Sequence, residues 1–218
     1  AFEALGTIKL DGNYPTGTNN VALGDTALDS GSLSGGNNTG IGNAALTVNT
    51  SGDNNVAVGN LTLDANTTGS CNLGNGMYSL TANISGDCNT AVGYASLASN
   101  TTADNNTAVG FRAMDKNTTG ACNTAVGVDS LRCNTTGCRI TAVGICSLYN
   151  NTTGCWNTAV GDLALRGNTT GCNNVAIGTA SLLSNTTASN NTAVGCASLL
   201  ANTTGSSLTA VGHLALSA

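Results

Sequence analysis

The chain has 218 residues, of which 8% are charged, 3% are aromatic and 29 are glycine, with a formal net charge of −5. A globular domain normally carries about 25% charged residues, and a disordered chain is normally rich in charge, so neither class fits. The acidic balance, with basic residues (Lys9, Arg112, Lys116, Arg132, Arg139, Arg166) that form no cluster along the sequence, argues against nucleic acid or membrane partners, and no apolar run is long enough to span a bilayer.

Taken in chain order, the first ten residues, AFEALGTIKL, lack a charged start followed by an apolar run. Any signal peptide is therefore expected to have been removed already. Residues 1–17 read as an irregular start, with a degenerate repeat at Gly6 and an irregularity around Asp11–Pro15. Residues 18–218 read as regular coils, so 1–218 is expected to be a single repeat array. Its anchor is a glycine after a short apolar pair, at Gly24, Gly42 and Gly59, then every seventeen residues to Gly212. A fixed period of this kind is the signature of a solenoid or related array.

The unit reads N-T-A-V-G-x-x-S-L-x-x-N-T-T-G-x-x, and each column has a physical meaning. Four residues after the glycine stands Leu28, Leu46, Leu63 and so on to Leu216, with Met114 the one exception. Such constancy predicts a buried position. The glycine itself predicts a turn with positive φ or a close backbone approach. Seventeen residues are too few for a helix pair, because helical repeats need about thirty or more. Asn, Thr, Gly and Val are weak helix formers. The two apolar runs, T-A-V and S-L, predict two short strands per coil. The fold class is therefore all-β, a parallel β-solenoid of 12–13 coils stacked roughly 4.8 Å apart. Within T-A-V, neighbouring side chains face opposite ways. Val is expected to face the core and Ala to face outward, where a small-residue stripe either receives a partner chain or fills a tight corner.

Seven residues after the glycine, ten successive copies carry Asn49, Asn66, Asn83, Asn100, Asn117, Asn134, Asn151, Asn168, Asn185 and Asn202. Ser or Thr follows two residues later each time, which is the N-glycosylation pattern. Two readings stand side by side. One is a stripe of covalent glycans on an exposed turn; the other is a bare Asn/Thr ladder, since stacked Asn side chains can hydrogen-bond along a solenoid. Further sequons at Asn37, Asn60, Asn105, Asn150 and Asn190 lie outside the column.

Nine cysteines complete the unusual columns. Cys71, Cys88 and Cys122 share one position, and Cys138, Cys155 and Cys172 the one before it. The coil spacing falls within the Cα range that a disulfide needs. Cys71–Cys88 is the first candidate pair, then Cys155–Cys172 and Cys122–Cys138, with Cys138–Cys155 competing. Cys133, Cys146 and Cys196 have no mate in neighbouring coils, and an odd total implies a free or intermolecular thiol. Bridged cysteines would fit an extracellular setting. The other reading is that Cys simply replaces Ser or Ala.

No catalytic set is expected. The single histidine, His213, stands at a variable position. Asp25 and Asp162 share a column many coils apart, the aromatics Tyr78, Tyr94, Phe111 and Trp156 are isolated in sequence, and no zinc-type, calcium-type or phosphate-loop motif occurs. The chain therefore reads as a non-enzyme without metal or cofactor.

The motif N-[NT]-[TV]-A-[VI]-G-x-x-[AS]-L occurs as CNTAVGYASL (88–97), NNTAVGFRAM (105–114) and NNVAIGTASL (173–182). It resembles the head repeats of trimeric autotransporter adhesins and related repeats of phage tail fibres. The resemblance implies a left-handed β-roll and three chains associating along one axis. The N-T-T-G arc makes this unit longer than the adhesin head unit. The expected role is a structural subunit of an extracellular fibre, at a cell or virion surface. Its partners would be copies of itself, stacked or bundled, or a trimer. The second reading is an adhesin head or tail-fibre module that recognises a receptor. A third is an ice-binding solenoid, which the Thr-rich columns suggest and the lack of flat T-x-T ranks opposes. The final HLALSA stops within a repeat, which predicts lengthwise stacking or a longer array.

Overall fold

The computed structural model describes residues 17–217. The expectations for Gly6, Lys9 and Asp11–Pro15 fall outside them. The described residues form a parallel β-solenoid with one three-residue strand per coil. The strands are β1 (Val21–Leu23), β2 (Thr39–Ile41), β3 (Val56–Val58), β4 (Leu73–Asn75), β5 (Thr90–Val92), β6 (Thr107–Val109), β7 (Thr124–Val126), β8 (Thr141–Val143), β9 (Thr158–Val160), β10 (Val175–Ile177), β11 (Thr192–Val194) and β12 (Thr209–Val211). They make one 12-stranded sheet in sequence order. The register sets like on like: Thr107 lies beside Thr124, Ala108 beside Ala125, Val109 beside Val126. At the usual strand spacing, the sheet runs on the order of 50 Å.

The expected second strand is absent, and the reason lies in the backbone. In the segment after each glycine, two residues adopt positive φ, for example Ala95 (φ 52) and Leu97 (φ 50). The two positive-φ residues send their N–H groups in opposite directions along the rod. Ala95 donates to Met77 O in the coil before, and Leu97 to Ala113 O in the coil after. A left-handed conformation costs a non-glycine residue roughly 1–2 kcal/mol. Burying a Leu side chain contributes about 1.5–3 kcal/mol. Burial wins, and the Leu column is fully buried from Leu28 to Leu182.

The glycine column behaves as expected. Gly110 has φ +135, and a Cβ there would stand 2.4 Å from the carbonyl oxygen of Gly127. The extra residue between Gly24 and Gly42 is taken up at a bend where Gly31 has φ +65 and open space around it.

The orientation of T-A-V is the reverse of the expectation. Ala57, Ala91, Ala108 and their equivalents are fully buried, while the outward columns remain partly exposed, Val126 by 37%. The cause is the narrow interior. The opposite wall already fills it with Leu and a column of Ser, Ala or Thr, which leaves room for one methyl group. The limit shows at Thr62, where the adjacent strand carries Gly74: a Cβ on Gly74 would stand 2.6 Å from Thr62 Cγ2. The small column is thus core, and the outer sheet face is Thr and Val. No strand presents Thr at both outward positions, and seven present Thr beside Val, so paired Thr ranks are absent among the described strands.

Candidate functional site

The sequon asparagines need correction first. Asn49 to Asn185 are fully buried, and Asn202, in the last full coil, is half-buried. Each from Asn66 onward donates Nδ2 to Oδ1 of the asparagine one coil earlier, at 2.8–3.2 Å. The same nitrogen donates to the carbonyl three residues ahead, at 2.9–3.0 Å. A carboxamide nitrogen has two hydrogens, and both are used. A sugar on Nδ2 would remove one and need space that the interior lacks. The folded coil and the column glycan exclude one another, so the ladder reading holds. The sequon's middle residue also joins in: Thr118 Oγ1 donates to Thr135 O at 3.0 Å. The exposed sequon asparagines lie outside the column, at Asn37, Asn105 and Asn190.

A second asparagine ladder escaped the sequence reading. The asparagine that precedes nine of the twelve strands (Asn38, Asn55, Asn72 and onward) is also buried, with Ile140 in its place before β8 and Leu208 before β12. Asn55 N donates to Asn38 Oδ1 at 2.9 Å, and Asn55 Nδ2 to Gly69 O at 2.8 Å. Gly69 O also accepts from Asn66, so the two ladders share one carbonyl and use both its lone pairs. Its signal was the N that opens the consensus, constant in most copies. We predict that folded protein secreted through an N-glycosylating pathway carries no sugar on Asn49 to Asn185. Peptide mass mapping checks this, and occupied column sites in folded material would refute the ladder.

The cysteines are present as thiols. Cys71, Cys88 and Cys122 are exposed. Cys138 Sγ and Cys155 Sγ lie 3.0 Å apart, and Cys155 N donates to Cys172 Sγ at 3.1 Å. The hydrogen bond to Cys155, with burial second, pushes the Cys138 thiol up to about 11. The folded chain therefore favours the neutral thiol. The stability this contributes is whole below the ordinary value near 9 and is lost as pH rises through about 11. Mild oxidation by glutathione disulfide is expected to join Cys138 to Cys155, faster as pH rises because the thiolate is the attacking species. Peptide mapping under denaturing, thiol-blocked conditions reads the pair. Cys155–Cys172 as the main product would reverse this expectation.

The largest break in the repeat is a patch at mid-rod. Basic and aromatic residues that are scattered in sequence meet here, because the coil returns every seventeen residues to the same side. Tyr94 stacks on Phe111 with ring centres 5.3 Å apart, and Tyr78 meets Tyr94 edge-on at 5.9 Å. Arg112 lies 4.9 Å from the Phe111 ring centre and pairs with Asp129 through Nε at 3.1 Å. Arg132 stands between Asp115 and Asp129, at 3.7 and 3.6 Å. Lys116 reaches Asp115 at 3.5 Å. Tyr149 has Arg132 and Arg166 at 5.6 and 5.7 Å from its ring centre. Beside them runs an exposed apolar stripe: Met77, Tyr94, Phe111, Val128 and Ile145. Asn60 before it and Asp162 after it occupy the same column and end it.

The ion pairs are only partly exposed, with the Asp115 and Asp129 side chains at 11% and 17% and Arg132 at 22%, so they fix the shape of the patch while Lys116, 57% exposed, reaches into solvent. Aromatic residues and arginine are the types enriched at recognition surfaces. On another corner, Arg139 lies 5.8 Å from the Trp156 ring centre. His213 is exposed. Among the described residues, no group of three or more His, Cys, Asp or Glu could hold a metal ion, and no helix is long and apolar enough to cross a membrane. Comparison of the chain with family models, curated proteins and solved structures gave no match.

Proposed function

We propose that this chain is a non-catalytic rod, a structural subunit of an extracellular fibre at a cell or virion surface. The observation that carries the reading is the outer face of the sheet. Its outward columns, from Val21 and Leu23 in β1 to Thr209 and Val211 in β12, contain no charged residue. Asn75 is the one polar break in the Val column. A long, uncharged, β-branched face suits packing against copies of the same chain, as a bundle or a trimer, and exposed apolar patches of this extent mark interaction surfaces. The resemblance to adhesin head and tail-fibre repeats supports the same reading. Electron microscopy of the native material, combined with sedimentation over a concentration series, tests it. Laterally associated rods are expected; compact monomers at every concentration would refute it.

A second role is compatible with the first. The mid-rod patch gives an otherwise uniform rod one chemically distinct place, which favours a recognition surface on an adhesin-like module. Substituting Phe111 and Tyr94 with Ser is expected to abolish attachment to target cells while leaving rod assembly intact. Unchanged attachment would refute this role.

A further inference from the structure

We propose that Arg132, Tyr149 and Arg166 bind a linear anionic polysaccharide lying along the rod axis. The proposal rests on reading the mid-rod patch as a recognition surface, and it names the ligand. The three residues occupy one column on three successive coils, with Tyr149 in the middle. Arg132 is held by Asp115 in the coil below and by Asp129 in its own coil, and its Nη1 donates to Tyr149 Oη. Tyr149 therefore accepts from the protein and keeps its own O–H to donate outward. Arg166 is exposed. Among the described residues, it has no carboxylate within ion-pair distance. Lys116, with its side chain 57% exposed, adds an ammonium one coil below Arg132.

What this column offers a ligand is a set of donors: a guanidinium, a phenolic O–H, and the unused part of a second guanidinium. The nearby carboxylates, Asp115 and Asp129, are already engaged by Arg112, Lys116 and Arg132, so the remaining donors select an anionic oxygen, and arginine presents a planar fork suited to carboxylate or sulfate. The spacing then selects a polymer. The arginines are two coils apart, roughly 9–10 Å, which is too far for one small anion to bridge. An extended polysaccharide with one acidic group per disaccharide places its charges at a comparable interval. The intervening sugar would then lie over Tyr149. The coil repeat and the sugar repeat run in the same direction, so the match needs no bend in either chain. The whole chain carries a net charge of −5, which makes this a local exception rather than a general polyanion surface.

The test is titration of the intact protein with hyaluronan octasaccharide and with its carboxyl-reduced neutral counterpart. The acidic octasaccharide is expected to bind and the neutral one to bind at least about tenfold more weakly, a difference of about 1.4 kcal/mol or more. Arg166→Gln and Tyr149→Leu should each weaken binding by a similar factor. Arg139→Gln, at the Trp156 corner, should leave it unchanged. Circular dichroism verifies that each variant remains folded. Equal binding of both saccharides, no binding of either, or binding indifferent to Arg166→Gln would each overturn the proposal. Cell attachment separates this from the underlying reading. If the octasaccharide fails while Arg166→Gln still reduces attachment, the patch recognises something else; if neither responds, both readings fall.

Discussion

Replacing Asn117 with aspartate is expected to unfold the central coils at neutral pH. Asn117 is fully buried. Its Nδ2 donates to Asn100 Oδ1 at 3.0 Å and to Gly120 O at 2.9 Å, while its Oδ1 accepts from Asn134 at 2.8 Å. Aspartate keeps the acceptor and loses both donors. Asn100 Oδ1 then lacks a partner, at about 1–3 kcal/mol, Gly120 O keeps only the bond from Asn106 Nδ2, and a carboxylate, which costs several kcal/mol to bury unpaired, is placed against both. The total is comparable with the roughly 5–15 kcal/mol that holds a typical domain together. The sign of the pH dependence follows. Burial raises the carboxyl pKa in the folded state above its ordinary value near 3.9. The protonated form is the one that fits, so the variant's stability is greatest in acid and is lost as pH rises through the folded value. Thermal melts at pH 3 and pH 7 should show this ordering. The same change at half-buried Asn202 is expected to have a much smaller effect. A neutral-pH melt of Asn117→Asp within a few degrees of the parent would refute the ladder's role. Because coils contact only neighbours, loss should begin locally, and the unfolding curve is expected to broaden or split.

Gly110→Ala is expected to be comparably damaging for a different reason. The φ of +135 lies in a region that only glycine occupies comfortably, and strain there is worth about 1–3 kcal/mol. The added Cβ also meets Gly127 C at 2.7 Å as well as its oxygen. Both are backbone atoms of the next coil, so the rod must open to admit a methyl group. Gly31→Ala separates the two contributions. Gly31 has φ +65 and nothing within 4 Å, so only the conformational cost applies, about 1 kcal/mol. Denaturant melts of the two variants should differ severalfold in destabilisation. Equal effects would mean that contact with the next coil is unimportant.

Much of this architecture was legible because the repeat is exact in length from Gly42 onward. A constant Leu28-to-Leu182 column implies burial, and a constant glycine implies a special φ; both hold. The T-A-V orientation reverses the sequence expectation because hydrophobicity favours Val inside where volume decides. Val is more apolar than Ala, but the space facing the Leu wall is filled by Ala or, in β2 and β4, by Gly40 and Gly74. The sequons were ambiguous because Asn-x-Thr serves two purposes. Its identity says nothing about whether the amide points to solvent or along the rod. The second ladder, from Asn38 to Asn191 with a break at Ile140, has no recognised motif to announce it. The mid-rod patch was hidden for a geometric reason: Arg132, Tyr149 and Arg166 are seventeen residues apart in sequence and adjacent in space.

The sequence by itself determined the period, the parallel stacking and the identity of the Leu and Gly columns. These follow from local demands repeated at every coil. Only the tertiary structure decided which way each intervening side chain points, because a three-residue strand has two faces and its composition suits either. That choice depends on the interior cross-section, a property of the closed coil and not of any one segment. It moved alanine and both asparagine columns inside. It left Thr and Val on the outer face, and it gathered scattered arginines and tyrosines into a single surface.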